Sequence, residues 1–543
     1  MKRSISTLFV VCSLVAACKD EARPRDAAAA EERDAGTSAT IDAAVDVTPD
    51  ASTAPDSGSA PHPDAGMSSP VVDASEAMDA AVVLDARVEP SDDGGVDMME
   101  PDAEPPDSSV PACTPLEAAC LADDGTRLWS QHIGLPEIDE RLNAIATDRR
   151  GNVYVAGNTP AALTGTSAGG LDIIVLKYDP SGDVVWTKQF GTAAHDVATA
   201  AMTDACGNVY VAGATRGDFE ADAFTGEYSD VFVVKLDANG ERVWARQLHG
   251  MWSETAWGLA VGPNGEIYVT GTTESYLNGE LGGASGGDPF IAKYSGAGEQ
   301  LWVRQLRSVV SDTSRGIGVD PRGNVYITGF LSRGSLDGVT SDDSDDAFIM
   351  KFDAAGQRQW IRQFGSMRVE GAPGSSGSLD DAYSIAVDAD GNAYVVGVTM
   401  GHFDGHVYAG GVGDQFVVKY DTEGVKQWSK QLGSTLQDEA FAVATDANGN
   451  VYVTGTAQAT FEGIVDQGFT DVTVVKYDGA GNQQWVRLAG TPTFEEPHGI
   501  ATDGCGNVYI TGITHGAFDD HVNPSPGWLD GFVVRYDSAG NRN

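Results

Sequence analysis

The heptapeptide Gly-Asn-Val-Tyr-Val-Ala-Gly stands at residues 151–157 and, unchanged, at 207–213. Close variants follow at 265–271, 323–329, 391–397, 449–455 and 506–512. Each copy begins 56 to 68 residues after the previous one. A strand-like segment that recurs at such a period predicts a propeller or a solenoid.

Two further markers repeat with the same period. One is a tryptophan four residues after a glycine, and it occurs as Trp129, Trp186, Trp244, Trp302, Trp360, Trp428 and Trp485. The other is Asp-x-Phe-Val-Val-Lys-Tyr-Asp at 414–421, with variants that begin at 172, 230, 288, 346, 471 and 530. The chain therefore contains seven copies of one unit.

Each unit predicts four short strands, which we label a to d. In the sixth unit they cover 440–445, 451–454, 472–477 and 483–487. The a/b and c/d connections, 446–449 and 478–481, read Asp-x-x-Gly, which favours a type I turn followed by a glycine with positive φ. In an antiparallel meander these tight turns share one face, and the longer b/c and d/a connections share the opposite, loop face.

The ends of the repeat region predict how the units close. The region begins with a lone strand d at 126–131, and the chain ends after a strand c and the turn 537–540. The N-terminal strand d can then complete the seventh unit, which leaves no open sheet edge at the closure. We therefore predict an all-β fold, a seven-bladed β-propeller with four antiparallel strands per blade.

These markers resemble the bacterial β-propeller repeats known as SBBP, over about residues 125–543. The resemblance implies the fold but no single function, because propellers serve as enzymes, binders and scaffolds. The glycine–tryptophan pattern also resembles the docking repeats of quinoprotein dehydrogenases, which implies that each tryptophan packs between neighbouring blades. Seven blades rather than eight, and the lack of an adjacent cysteine pair, argue against a quinone cofactor.

The N-terminus predicts export. Residues 1–17 have a basic start and a short apolar run, as a signal peptide does. The run ends Val-Ala-Ala-Cys at 15–18, which resembles a bacterial lipobox and implies a lipoprotein lipidated at Cys18. The expected location is the cell envelope, outside the cytoplasm, at the outer membrane or cell surface. An ordinary signal cleavage near Ala17 is the alternative.

The net charge of −45 is spread unevenly along the chain. Residues 19–112 hold 23 Asp and Glu, 5 Lys and Arg, and no aromatic residue except histidine. Such a segment cannot bury enough apolar surface to offset its ordering entropy, so residues 18–112 form a predicted disordered acidic linker and 113–543 the propeller. The negative charge also argues against a nucleic-acid partner.

Four cysteines remain after the signal peptide and Cys18: Cys113, Cys120, Cys206 and Cys505. Cys206 and Cys505 occupy the same a/b turn in blades two and seven, about 15 Å or more apart, which is beyond the ~7 Å reach of a disulfide. The first prediction is therefore the pairs Cys120–Cys505 and Cys113–Cys206, and the swapped pairs come second. A Cys113–Cys120 bridge with two free thiols is the remaining alternative.

Two acidic positions recur in every unit. The first is Glu140, Asp196, Glu254, Asp312, Asp380, Asp438 and Glu495. The second is Asp172, Asp230, Asp288, Asp346, Asp414, Asp471 and Asp530. Loop hydrogen bonding and strand capping are the simplest interpretation, and for the first set a carboxylate ring that attracts cations at the channel mouth is the other.

One position of strand a differs in every unit, three residues after the first acidic set. Its seven occupants are Asn143, Thr199, Trp257, Arg315, Tyr383, Phe441 and His498. The position lies near the loop-side end of the innermost strand, where propellers bind ligands, and aromatic, Arg and His side chains would suit a sugar, a peptide or an anionic group. A tolerant packing position is the alternative. We call this set the variable ring.

Other departures from symmetry lie on the loop face. Blade four carries Asp342, Asp343 and Asp345, which indicate either a Ca²⁺ loop or a solvated acidic loop. The connection within 367–380 is longer than its equivalents and Gly/Ser-rich, so it could act as a lid. His406 and His521 are equivalent by position but not adjacent, and no zinc, Walker or nucleophile-elbow motif occurs.

The sequence thus predicts a lipid-anchored, monomeric ring that acts as a ligand-binding, protein-binding or scaffold module through its loop face. The alternative is an extracytoplasmic enzyme acting on a glycan or peptide, with His498 near Glu495 and Arg315. A purely structural envelope protein is a third interpretation. Ca²⁺ is the one cofactor for which the sequence offers a candidate site.

Overall fold

The computed structural model describes residues 129–542 except 136, 166, 220–227, 278–286, 308–310, 333–334, 337–338, 341–344, 367–378 and 519–526. This part of the chain forms seven four-stranded antiparallel sheets and one two-stranded hairpin. The seven-bladed, all-β propeller predicted from the sequence is confirmed. Within these residues, no helix has the length and apolar character needed to cross a membrane.

Blades one to four follow the chain in order. Blade one holds β2 (Arg141–Thr147), β3 (Val153–Thr159), β4 (Asp172–Tyr178) and β5 (Val184–Phe190). Blade two holds β6 (Asp196–Thr203), β7 (Val209–Thr215), β8 (Asp230–Leu236) and β9 (Arg242–Leu248). Blade three holds β10 (Glu254–Val261), β11 (Ile267–Thr273), β12 (Asp288–Tyr294) and β13 (Gln300–Gln305). Blade four holds β14 (Thr313–Val319), β15 (Val325–Leu331), β18 (Asp346–Phe352) and β19 (Arg358–Phe364), and its b/c loop holds the hairpin β16 (Ser335–Leu336) and β17 (Val339–Thr340).

Blades five to seven complete the ring. Blade five holds β20 (Asp380–Val387), β21 (Ala393–Thr399), β22 (Asp414–Tyr420) and β23 (Lys426–Leu432). Blade six holds β24 (Asp438–Thr445), β25 (Val451–Ala457), β26 (Asp471–Tyr477) and β27 (Gln483–Ala489). Blade seven holds β28 (Glu495–Thr502), β29 (Val508–Thr514), β30 (Asp530–Tyr536) and the N-terminal strand β1 (Ser130–Ile133).

The closure occurs as predicted. β1 is the outer strand of blade seven and pairs antiparallel with β30, from Ser130 opposite Val534 to Ile133 opposite Gly531. β1 covers Ser130–Ile133, and the first three residues of the predicted strand, 126–128, lie outside the described residues. The N-terminal and C-terminal ends of the propeller are therefore held in one sheet.

The burial of each strand follows its place in the blade. Strands b and c, such as β3 and β4, are buried along their whole length because each sheet lies between two others. The outermost strand d starts exposed, and Val184 and Val185 of β5 keep 54% and 52% of their surface. The β-branched and aromatic residues of b and c thus form the core between blades.

The tight turns have the predicted chemistry. In the a/b turn of blade six, the Gly449 N–H donates to the Asp446 carbonyl at 3.0 Å, and Gly449 has a φ of 74°. One Asp446 carboxylate oxygen accepts from the N–H groups of Asn448 and Asn450, and the other accepts from the Tyr452 hydroxyl at 2.9 Å. The aspartate therefore satisfies the turn and ties it to strand b.

Each repeat tryptophan packs on the c/d turn of the next blade, as the docking resemblance implied. The Trp186 indole donates to the Ala238 carbonyl of blade two at 3.1 Å. At the closure, Trp129 donates to Pro180 of blade one, also at 3.1 Å. The same contact thus joins the last blade to the first and stabilises the closure of the ring.

Candidate functional site

Every residue of the variable ring is the extra residue of a β-bulge. The pairing of strand a with strand b shifts at this position in all seven blades, for example between Leu142 and Ala144 around Asn143. A bulge leaves one residue unpaired and turns its side chain away from the regular alternation. This geometry explains why the position tolerates seven different side chains within one repeated fold.

Three polar members of the variable ring connect neighbouring blades. Asn143 Nδ2 donates to the Ala198 carbonyl of blade two at 2.8 Å, and Thr199 Oγ1 donates to the Ala256 carbonyl of blade three at 2.8 Å. His498 Nδ1 lies 2.9 Å from the Leu142 carbonyl of blade one. In each case the acceptor immediately precedes the bulge of the next blade.

The other four members form an aromatic arc with one embedded cation. The Arg315 guanidinium lies 4.8 Å from the Tyr383 ring centroid and 6.0 Å from that of Trp257. Tyr383 stacks on Phe441 with centroids 5.7 Å apart and planes 16° apart. All four side chains are half-buried, so this arc offers ring faces from blade three to blade six. The structure thus brings the variable ring together around the innermost strands.

A second set of functional candidates lies two residues before the bulge and was missed from the sequence. Blades five, six and seven place Asp381, Glu439 and Glu496 there, and blade one places Arg141. Blades two, three and four have Val197, Thr255 and Thr313. The signal was the doubled acid at 380–381, 438–439 and 495–496, which looks like a single acidic position when the repeats are compared.

Burial shapes the charge of these carboxyl groups. Burial, together with the charges of Glu496 and Asp381, raises the pKa of Glu439 to about 7, while a hydrogen bond from Gln437 and the charge of Arg315 oppose the shift. Burial also raises the pKa of Asp381, and Arg315 opposes this shift too. The carboxyl groups of Asp381, Glu439 and Glu496 therefore interact electrostatically across the channel mouth.

His498 contacts Glu496, not the Glu495 that the sequence placed beside it. Because a carbonyl only accepts, the His498 Nδ1 carries the proton donated to Leu142. Its Nε2 then lies 3.2 Å from Glu496 Oε1. The side chain of His498 is 6% exposed and that of Glu496 is 1% exposed. Two lone pairs would repel at this distance, so the contact holds one further proton, on the imidazole or on the carboxyl group.

The first recurring acid set has a structural role in this geometry. All seven carboxylates are fully buried. Glu254, for example, accepts from the Gly250 N–H at 2.9 Å and from the Thr273 hydroxyl at 3.0 Å. It thereby ties the d/a connection to strand b, so the loop-bonding interpretation fits the structure and an exposed ring of carboxylates does not.

The second acid set meets the first across the blade junctions. Asp230 of strand c in blade two and Glu254 of strand a in blade three interact across the blade junction, and Asp230 accepts a hydrogen bond from Gln247 Nε2 at 2.7 Å. Burial raises the pKa of Asp230 to about 6 and that of Glu254 to about 7. Two buried carboxyl groups repel each other when both are charged, so their proximity favours the protonated form of each.

Several predicted positions fall outside the described residues. These are Cys18, Cys113, Cys120, Asp342, Asp343, His521 and nearly all of the connection within 367–380. Asp345 is described, and its carbonyl accepts from the Asp380 N–H at 3.0 Å. Cys206 and Cys505 lie in the predicted turns, and their pairing stays a prediction. Across the described ranges, no group of three His, Cys, Asp or Glu converges as a metal site.

The family model described as "SBBP: Beta-propeller repeat" matches residues 128–161, 301–329, 359–404, 427–462 and 484–519. Five segments of the chain therefore match this repeat. Each match begins beside a repeat tryptophan of strand d and continues through strand a and into strand b of the next blade. This agrees with the repeat type predicted from the sequence.

Two curated relatives are similar to a large part of this chain. A WD repeat-containing protein of Acanthamoeba polyphaga mimivirus is 21% identical over 79% of this chain and 40% of its own length. The "Regulatory protein FlaEY" of Caulobacter vibrioides is 24% identical over 66% of this chain and 41% of its own. The chain thus spans about two fifths of the length of these relatives.

Similar solved structures are distant in sequence. The hydrazine synthase of Kuenenia stuttgartiensis is 12% identical with a TM-score of 0.43, over 74% of this chain and 96% of that one. A virginiamycin B lyase from Staphylococcus aureus is 11% identical with a TM-score of 0.38, over 75% and 99%. Such distant matches say nothing about activity.

Proposed function

We propose that this protein is a cell-envelope binding module that takes its ligand at the loop-side mouth of the central channel. One observation carries the proposal. The turns and the tryptophan contacts repeat from blade to blade, whereas the bulge position holds a different side chain in every blade. Fold alone would not require this difference, and a ligand without sevenfold symmetry would.

The chemistry of the mouth supports a peptide, glycan or protein ligand. Half-buried aromatic faces supply contact area at little entropic cost, and Arg315 and the nearby carboxyl groups supply directional polar contacts.

A binding screen against peptides and glycans tests this proposal. The variants Trp257→Ala, Arg315→Ala and Tyr383→Ala should each weaken a bound ligand about tenfold or more, as buried aromatic and Arg anchors do. Trp252→Ala is the matched control, because Trp252 is 48% exposed and its ring packs on Tyr228, which is not a member of the variable ring. Unchanged affinity in all three variants would remove the proposed site.

The second candidate function is an extracytoplasmic enzyme acting on a glycan or peptide. The observation that favours it is the proton-holding pair of His498 and Glu496. His498 belongs to the variable ring, as Arg315 does. A pair of this kind can donate and accept a proton. Turnover of a screened polymer that is lost in His498→Gln would replace the binding proposal with this one.

The anchor and the cysteine bridges belong to the same proposal. We place a lipid on Cys18 and the 18–112 linker between membrane and ring, with bridges Cys120–Cys505 and Cys113–Cys206 that staple the N-terminal segment beneath blade one. Several acyl chains would give stable anchoring, since each buried CH₂ adds ~0.8 kcal/mol.

Non-reducing peptide mass mapping of the envelope-extracted protein tests both features at once. We expect a lipidated peptide that begins at Cys18 and cross-linked peptides that join 120 to 505 and 113 to 206. A 113–120 cross-link with alkylated Cys206 and Cys505 would refute the staple. An unmodified peptide that begins at Cys18 would refute the anchor.

A further inference from the structure

The acidic groups of the channel mouth lie on one side of the ring. Asp381, Glu439 and Glu496 hold equivalent positions in the three consecutive blades five, six and seven. Glu439 stands between the other two and interacts with both. We call these three side chains the acidic arc.

Two arginines at the mouth interact with the two ends of the acidic arc. Arg315 acts on Asp381 from blade four, and Arg141 acts on Glu496 from blade one. Glu439, in the middle, accepts a hydrogen bond from the neutral amide of Gln437. Among the charges acting on Glu439, the repulsion from Glu496 and Asp381 outweighs the attraction of Arg315.

One oxygen of the acidic arc is buried without a donor among the described residues. Glu496 keeps only 1% of its surface, its Oε1 faces His498, and its Oε2 has no hydrogen-bond partner. A buried carboxylate oxygen in this condition is costly unless a donor reaches it. This orphan oxygen points to a ligand that brings N–H groups to the acidic side of the mouth.

The aromatic rings complete a site for an organic cation. Tyr383 and Phe441 each lie two residues beyond a member of the acidic arc and form the stacked, half-buried pair. The rings already accept one cation, since the Arg315 guanidinium lies 4.8 Å from the Tyr383 centroid. Carboxylates beside ring faces are the groups that bind ammonium and guanidinium ions.

The spread of the carboxylates favours an organic cation over a metal ion. A bare divalent cation needs several oxygens converging at 2.0–2.6 Å. The three carboxylates are distributed over three blades, and they do not converge as a metal site within the described residues. An extended cation that donates several hydrogen bonds can span them.

We propose that the ligand of this site presents a primary ammonium or guanidinium group, as a lysine or arginine side chain does, to the acidic arc beside Tyr383 and Phe441. This inference rests on the proposed function and names its ligand class. It also assigns Glu439 as the central counter-ion, which the sequence had not singled out.

Isothermal titration with blocked peptides tests the ligand class. The probes are Ala-Lys-Ala and Ala-Arg-Ala, with the isosteric neutral peptide Ala-norleucine-Ala, in 150 mM salt at pH 8. We expect the norleucine peptide to bind about tenfold more weakly, because one charge-assisted contact contributes roughly that factor. Equal binding of norleucine and lysine peptides would overturn the inference.

Three variants locate the binding. Glu439→Gln should weaken lysine binding about tenfold and Phe441→Leu about threefold, as expected for loss of a counter-ion and of a cation–π contact. Glu241→Gln is the matched control, because its carboxylate is exposed in a c/d turn on the opposite face. Equal losses in Glu241→Gln and Glu439→Gln, or no loss in Glu439→Gln, would contradict the site. Thermal melting confirms that each variant is folded.

The failure of this inference is distinguishable from the failure of the proposed function. If a neutral ligand from the screen loses affinity in Tyr383→Ala while lysine peptides do not bind, the mouth is a binding site and the cation class is wrong. If no ligand depends on the variable ring, both proposals fall together.

Discussion

At the scale of single residues, the most unusual feature is the meeting of two carboxyl groups at blade junctions. Asp230 and Glu254 are fully buried and repel each other across the junction of blades two and three. At most other junctions the same repulsion acts between strand c and strand a, as it does between Asp414 and Asp438. The repeats thus bury neighbouring carboxyl groups inside a protein of strongly negative charge.

These pairs predict that the propeller is more stable at pH 5 than at pH 8. The pKa of Asp230 is raised to about 6 and that of Glu254 to about 7, both chiefly by burial. A group with a raised folded-state pKa contributes stability below its unfolded pKa and loses it as the pH rises through the folded value. Thermal unfolding followed by circular dichroism should therefore show a melting temperature that falls between pH 5 and pH 8.

The substitution Asp230→Asn isolates one pair. Its neutral amide can accept from Gln247 and does not repel Glu254, so it mimics the protonated acid at every pH. We expect a gain on the order of 1 kcal/mol at pH 8 relative to pH 5. Asp183→Asn, at an exposed turn position, is the control. An equal pH dependence in the wild type and Asp230→Asn would refute the role of the pair.

The variable ring was predictable at this scale, and the acidic arc was not. Seven different side chains at one repeat position drew attention without any structure. Glu439 and Glu496 were hidden because each follows an acid that every blade carries, so they read as part of the architecture. The β-bulge adds one residue to strand a, two residues after the second acid. Neither composition nor the spacing of the repeats reveals this bulge.

At the scale of elements, the tight turns and the tryptophan contacts depend on glycine. Gly298, in the c/d turn of blade three, has a φ of 87° and packs on the Trp244 indole of blade two. A methyl group on Gly298 would lie 2.9 Å from that indole, closer than a van der Waals contact. The turn and the blade junction therefore demand the same residue.

This double demand predicts different costs for two glycines of one blade. Gly265 has a φ of 83° and open space around it, so Gly265→Ala meets backbone strain alone, about 1 kcal/mol. Gly298→Ala adds a clash with Trp244, and we expect a total loss of about 2–4 kcal/mol. Chemical denaturation measures both. Equal losses would show that the tryptophan contact does not stabilise the junction.

The elements themselves were largely predictable. The period, the turn residues and the β-branched runs placed all four strands of each blade, although β24 and β25 extend two or three residues beyond the prediction. The hairpin of β16 and β17 in blade four was not foreseen, because two-residue strands carry no period.

At the scale of the whole molecule, the architecture is one closed ring with an asymmetric mouth. The two ends of the propeller meet in blade seven through β1 and β30, and Trp129 joins that blade to blade one. The closure was predictable because an incomplete last unit and a lone first strand left one consistent arrangement. The chemistry of the mouth was only partly predictable, because it depends on which side chains of different blades face one another.

The central claim is that this mouth is where the ligand binds. A crystal structure of the protein with the tightest ligand from the peptide and glycan screen tests it most directly. The account predicts density at the loop-side mouth, in contact with Tyr383, Phe441 and Glu439. A ligand bound on the tight-turn face or along the outer strands, with the mouth unchanged, would contradict it.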